Sequence, residues 1–260
     1  MNIIPEIESP LSENYIDFLN ELKILLNGLS SNRVINIKNI IIEQNFGFNA
    51  ILLSKFVSDE NPDLAITYSF NMRDKNRIAL FSDIITLEQL GLKNIIISEG
   101  LHPMKTVFHS AKPVYDIDVV TFSSIIKKSK SINHLIENNL NNDLLNDVHV
   151  VCSEDAAYNI GNFNLGVKIA ASTPADMVKI KKLISVGADN FIINSFTDNV
   201  CAIEYIKKEH KNVFIHINEL EIGKTFNSLD EAYAKTLNLK ADGLIIKIIS
   251  PKINILKKLQ

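Results

Sequence analysis

The side chains of this chain that could do chemistry fall just past short runs of β-branched residues. Glu6 and Glu8 follow the run that begins at Ile3, and Asn36 and Lys38 follow Arg33 to Ile37. Ser69 and Asn71 close Leu64 to Phe70, and Glu99, Gly100, Leu101 and His102 follow Asn94 to Ser98. Ser172, then Asn194 and Ser195, then Asn218 and Glu219, and finally Lys247 mark the later runs. Carboxyls, amides, hydroxyls and a lysine at the ends of buried strands are the groups from which an acid–base or ligand-binding site is made, because ligands of parallel α/β proteins bind at that edge. Any such fold would yield a set of this kind, and a strand-end acid is equally at home as a solvated side chain.

Three other signals carry no chemistry. Gly223-Lys224-Thr225 ends like a phosphate loop, but Asn218 holds the position of the required first glycine. No G-x-G-x-x-G occurs, so no dinucleotide turn is indicated. The 6 histidines and the 2 cysteines, Cys152 and Cys201, never fall at metal-ligand or C-x-x-C spacing, which argues against a zinc site and a disulfide scaffold and suits the cytoplasm.

The elements that must position these residues alternate. The first strand is Ile3 to Ile7, and a helix follows from Glu13 to about Leu26, with Ile16, Leu19, Leu22 and Leu26 at helical spacing. Arg33 to Ile37 reads as the second strand, Phe48 to Val57 as a helix and Leu64 to Phe70 as the third strand. Asp74 can cap the next helix, whose buried face is Ile78, Leu80, Ile84, Leu87 and Leu90; Gly91 ends it, and Asn94 to Ser98 is the fourth strand. Val119 to Ser129 is a helix, Glu137 to Asp147 a polar insert, and Val148 to Cys152 either an extra strand or an irregular segment. Strands at Leu165 to Ala171, Phe191 to Asn194, Val213 to Ile217 and Leu244 to Ile249 then alternate with helices beginning at Thr173, Ile203 and Leu229. Eight strands in this order predict a single-domain (β/α)8 barrel spanning residues 1–260.

Bulk composition agrees. The chain has 260 residues, 46% hydrophobic and 22% charged, with a formal net charge of −3, so no basic excess points to nucleic acid. No apolar run approaches the ~20 residues of a membrane span.

The stretch from Arg73 to Asp83, the turn Gly91-Leu92-Lys93-Asn94, and Ser98-Glu99-Gly100-Leu101-His102-Pro103 resemble the methylenetetrahydrofolate reductase family, including its corrinoid-pathway forms. Ala175 to Lys182, Val186 to Asp189 and Ile193 to Asp198 resemble a second family segment. The resemblance implies a flavin-dependent oxidoreductase of one-carbon metabolism, passing hydride from reduced FAD to a methylene-pterin, with a reduced folate as substrate. It also implies a partner that donates electrons or takes the methyl product, and is compatible with a homo-oligomer; the alternative it leaves is a degenerate folate- or flavin-binding subunit. Glu6-Ile7-Glu8-Ser9-Pro10 matches the family's strand-one motif and places Glu6 as general acid, its carboxyl held protonated by partial burial. Carried over in the same way, Ser69, Asn71, Glu99, Gly100, Leu101, His102, Tyr115, Asp176, Lys181 and Lys182 would contact the cofactor, and Asn194 and Phe226 the substrate. The chain departs from the family at Leu101, where an aspartate is usual, and at Leu183, Asn194 and Ser69.

Overall fold

The computed structural model describes residues 2–8, 15–30, 38–44, 48–73, 75–100, 104, 109–114, 116–128, 162–194 and 199–248. Eight parallel strands close on themselves in sequence order, as the alternation predicts. They are β1 (Ile3–Glu8), β2 (Asn39–Glu43), β3 (Ala65–Asn71), β4 (Asn94–Ser98), β5 (Asn164–Ile169), β6 (Asn190–Asn194), β7 (Asn212–Asn218) and β8 (Gly243–Ile248). The helices between them are α1 (Tyr15–Ser30), α2 (Ala50–Glu60), α3 (Arg77–Gln89), α4 (Val119–Lys128), α5 (Pro174–Ser185), α6 (Val200–Lys208) and α7 (Leu229–Asn238), with a 3₁₀ turn at Glu219–Glu221. Among the described residues no helix is long and apolar enough to cross a membrane.

Each strand sends alternate side chains to the two faces of the sheet. The outward set, including Ile40, Ile42, Tyr68, Phe70, Ile95, Ile97, Phe191 and Ile193, packs with the helices into one large core. The inward set is stacked in layers. At the N-terminal end a chain of amides crosses four strands: Asn164 donates to Asn94 at 3.0 Å, Asn190 to Asn164 at 2.7 Å, and Asn212 to Asn190 at 2.9 Å. Above it Ile4, Ile41, Ile96, Ile192 and Ile245, with Phe214, form a separate apolar layer. Gly166 leaves room for this layer, since a Cβ there would stand 2.8 Å from Ile96 Cγ1 and 3.2 Å from Ile192 Cδ1. Among the described residues these layers fill the barrel from below, beneath its C-terminal mouth.

Two local expectations are corrected. The second strand of the barrel is Asn39–Glu43, built on the apolar run Ile40, Ile41 and Ile42; Arg33 to Ile37, where it was expected, lies outside the described residues. Lys38 thus precedes β2, and Asn36 lies outside the described residues. The cap of α3 is Asn76, whose side chain accepts from Ala79 N at 2.9 Å; Asp74, the expected cap, is outside the described residues. Thr173 does cap α5, in a reciprocal box with Asp176.

Candidate functional site

Five inward-facing charges alternate in sign across the mouth. Glu6 on β1 is completely buried and accepts from Lys168 Nζ of β5 at 3.0 Å and 2.9 Å, one contact to each carboxylate oxygen. Lys168 also reaches Glu43 of β2 at 3.5 Å. Glu43 accepts from Lys247 of β8 at 2.8 Å, and Lys247 in turn pairs with Glu8. The strand register makes this ladder: Glu6 is beside both Ile41 and Lys247, and Glu43 is beside Ser69. At the ladder's buried end His216 Nε2, from β7, stands 2.9 Å from Glu6 Oε1.

Charge states follow from these contacts. Burial pushes the Glu6 carboxyl up, but the Lys168 ammonium and the His216 hydrogen bond outweigh it and hold the group down at about 2. Burial pulls the Lys168 ammonium down, and the Glu6 and Glu43 carboxylates more than offset that, so it stays protonated. Lys247 behaves alike, lifted mainly by Glu43 against its own burial. With Glu6 ionised, the close His216 contact is a hydrogen bond in which Nε2–H donates to the carboxylate.

Above the ladder lies a cavity of about 550 Å³. Its walls bring together Glu8, Asn71, Glu99, Gly100, Asp176, Asn194 and Lys247, all singled out from the sequence, with Glu43, Lys75, Lys168, Lys179 and His216, which were not. Gly100 has φ +75°, and a Cβ on it would stand 2.7 Å from Asn71 Oδ1, so the β4 exit can close against β3 only with glycine. Ser69 is 1% exposed on β3, and among the described residues neither its Oγ nor Asn71 Oδ1 has a hydrogen-bond partner. Among those residues, too, no group of three or more His, Cys, Asp and Glu is arranged to hold a metal ion.

The expected site residues are dispersed. Glu6, expected as a general acid, lies at the floor of the site, where Lys168 meets both of its carboxylate oxygens and His216 one of them. Asp176 reaches the cavity wall, but its carboxylate accepts from the backbone N–H groups of Ser172 at 3.1 Å and Thr173 at 2.9 Å, which makes it a helix cap. Lys181 lies outside the cavity, its ammonium 5.4 Å above the Tyr205 ring, and Lys182 is exposed on α5 and does not line it. Phe226 is 2% exposed, with Lys235 over its ring, and belongs to the apolar core rather than the cavity wall. Leu101, His102, Tyr115 and Ser195 lie outside the described residues. Lys168 and His216 carry a signal that sequence reading passed over: each is a lone charged or imidazole side chain inside an otherwise apolar strand, Leu-Gly-Val-Lys-Ile and Val-Phe-Ile-His-Ile.

No protein-family model and no curated protein matches this chain. Solved structures do share its fold. A tryptophan synthase complex from Pyrococcus furiosus is similar over 99% of this chain and 97% of its own, with TM-score 0.59 and 10% identity. The tryptophan synthase A-subunit from the same organism is similar over 99% and 96%, with TM-score 0.57 and 12% identity. Tryptophan synthase from M. tuberculosis is similar over 95% and 82%, with TM-score 0.54 and 9% identity. At these identities the likeness is one of fold, and it extends to barrels that occur in complexes. These neighbours are not flavin-dependent reductases. The expected folate-reducing oxidoreductase, and with it the degenerate flavin- or folate-binding subunit, is overturned by them.

Proposed function

We propose that this barrel is an enzyme of proton transfer, acting on a small polar carbonyl compound bound in the cavity at its mouth. The observation that carries the reading is the buried Glu6 carboxylate holding an imidazole and an ammonium against the same oxygen, at 2.9 Å and 3.0 Å. Glu6 fixes the tautomer and orientation of His216 and favours the imidazolium once a proton arrives, so His216 Nδ1 serves as the base. Lys168 supplies the compensating cation. Its 3.5 Å contact to Glu43 is the longest of its three, and Glu43 keeps Lys247 at 2.8 Å. A substrate oxygen can therefore replace Glu43 at the Lys168 ammonium without stranding a buried carboxylate.

The step is an enolisation. The C–H bond next to the carbonyl breaks, its proton goes to His216 Nδ1, and the electron pair moves onto the carbonyl oxygen beside Lys168. A fixed cation in a partly dry site stabilises that oxygen more than water would. The neighbours fit a barrel that works at its C-terminal mouth, the usual place for chemistry in this fold.

The test is hydrogen exchange. A panel of small hydroxyketones, hydroxyaldehydes and keto acids is incubated with the protein in D₂O and followed by proton NMR. Wild type should wash deuterium into the carbon beside the carbonyl of at least one member. His216→Asn keeps a polar side chain in the strand and removes the base, and should slow exchange ~10²-fold or more. Exchange that is absent throughout, or as fast in His216→Asn as in wild type, sinks the proposal.

A further inference from the structure

We infer that the ligand of this cavity is a carbonyl compound carrying several hydroxyl groups, in chemical class a short open-chain sugar. The inference deepens the proton-transfer reading. It rests on that reading only in taking the cavity as the substrate site and Lys168 as the partner of the carbonyl oxygen. Strand register, hydrogen-bonding character and an unmet acceptor carry it.

Register sets three polar side chains in a row. Asn71 ends β3, Ser98 ends β4 and Lys168 stands on β5; Asn71 is the Cα partner of Ser98, and Ser98 that of Lys168. Their neighbours along the strands, Phe70, Ile97, Val167 and Ile169, belong to the outer core, so the row itself points into the barrel. All three residues line the cavity. Neighbouring strands lie about 4.8 Å apart, so the row runs about 10 Å between its outer Cα atoms. That is the span of a short carbon chain with a hydrogen bond at each end.

The row reads ammonium, hydroxyl, amide. The ammonium groups of the wall each meet a carboxylate: Lys168 pairs with Glu6, Lys247 with Glu43, Lys75 with Asp83 and Lys179 with Glu99. Ser98 and Asn71 are neutral, and each side chain both donates and accepts. A ligand carboxylate only accepts and a ligand ammonium only donates, whereas a hydroxyl does both. A hydroxyl therefore satisfies either side chain in either orientation.

The unmet acceptor is on Asn71. Its Oδ1 is buried against the β4 exit, where a Cβ on Gly100 would stand 2.7 Å away, and among the described residues no donor meets it. A half-turn of the amide exchanges Oδ1 with Nδ2, so the side chain can offer the cavity an acceptor or a donor. Below it on the same face of β3, Ser69 is 1% exposed, and its Oγ also lacks a partner among those residues. A polar atom left unpaired is costly, and a site built to bond a hydroxyl rejects the analogue that lacks it.

The experiment uses four probes of one four-carbon skeleton, with the ketone at the second carbon: erythrulose, 1-hydroxy-2-butanone, 2-butanone and 2-oxobutanoate. Each is titrated into the full chain at pH 7.5, and its dissociation constant is read from NMR chemical-shift changes of the protein. Erythrulose, with three hydroxyls, should bind at least about tenfold tighter than 2-butanone, with 1-hydroxy-2-butanone between them. It should also bind tighter than 2-oxobutanoate. Ser98→Ala and Asn71→Ala each remove one reader and should each narrow the gap between erythrulose and 2-butanone severalfold. The same spectra report folding, and Ser98, half-buried at its strand end, decides the matter should Asn71→Ala not fold. A gap unmoved in a folded variant, 2-butanone or 2-oxobutanoate binding as tightly as erythrulose, or no binding by erythrulose overturns the inference. The titrations are repeated in His216→Asn, which keeps the row and lacks the base. The expected ranking there, with no deuterium exchange in wild type, would sink only the proton-transfer reading, and exchange with a wrong ranking only this one.

Discussion

Replacing Glu6 by glutamine should unsettle the barrel more than any other single change at its mouth. The glutamine keeps the size of the side chain and an oxygen for Lys168, but it leaves a buried ammonium without its main counter-charge. The carboxyl sits at about 2 in the folded chain against 4.5 when free, a difference worth about 3 kcal/mol. Breaking a buried pair from one side costs a similar ~3–5 kcal/mol. The sign of the pH dependence follows. A carboxyl that ionises more easily when folded stabilises fully above about 4.5 and loses that contribution as pH falls toward about 2. Urea unfolding at pH 7 should show Glu6→Gln weaker by ~3 kcal/mol. Between pH 5 and pH 2 wild type should lose correspondingly more stability than the mutant, until the two converge. Adding Lys168→Met to Glu6→Gln removes the stranded charge and should recover much of the loss, because an apolar side chain of similar length needs no partner there. The reasoning fails if Glu6→Gln costs less than ~1 kcal/mol, if the two proteins titrate in parallel, or if the double mutant is no better than the single one.

Two further substitutions probe the layers beneath the site. Gly166→Ala should destabilise by ~1–3 kcal/mol in urea, since its Cβ would press within 2.8 Å of Ile96 in a filled layer; a neutral result would mean the layer has slack. Asn190→Ala removes two rungs of the amide chain, at 2.7 Å and 2.9 Å, and should cost ~1 kcal/mol while leaving probe binding at the mouth unchanged. A change in probe affinity in that variant would show that the apolar layer does not insulate the two ends of the barrel.

How much of this was legible in the sequence depends on the range of the interaction. The fold rests on patterns a few residues long, and the eightfold alternation of apolar runs with helical spacing predicts the closed barrel. The one strand misplaced, β2, lies where two apolar runs adjoin. Reading Arg33 to Ile37 instead of Asn39–Glu43 put Asn36 and Lys38 at the mouth and hid Glu43, which links both lysines of the ladder. Glu6 was legible as a residue but not as a charge. Burial alone argues for a protonated carboxyl, and the partners that reverse that argument stand 162 and 210 positions along the chain. Lys168 and His216 were passed over for a related reason. Polar residues at or beyond the strand ends are the obvious candidates, whereas Lys168 and His216 lie inside their strands, before the last residues. A lysine inside an apolar strand is costly unless a carboxylate meets it. In a closed parallel barrel that carboxylate is expected on the inward face of another strand, as Glu6 and Glu43 are for Lys168. Lone charges within predicted barrel strands, taken together with acids at the same level, therefore mark a site more sharply than the strand-end residues do.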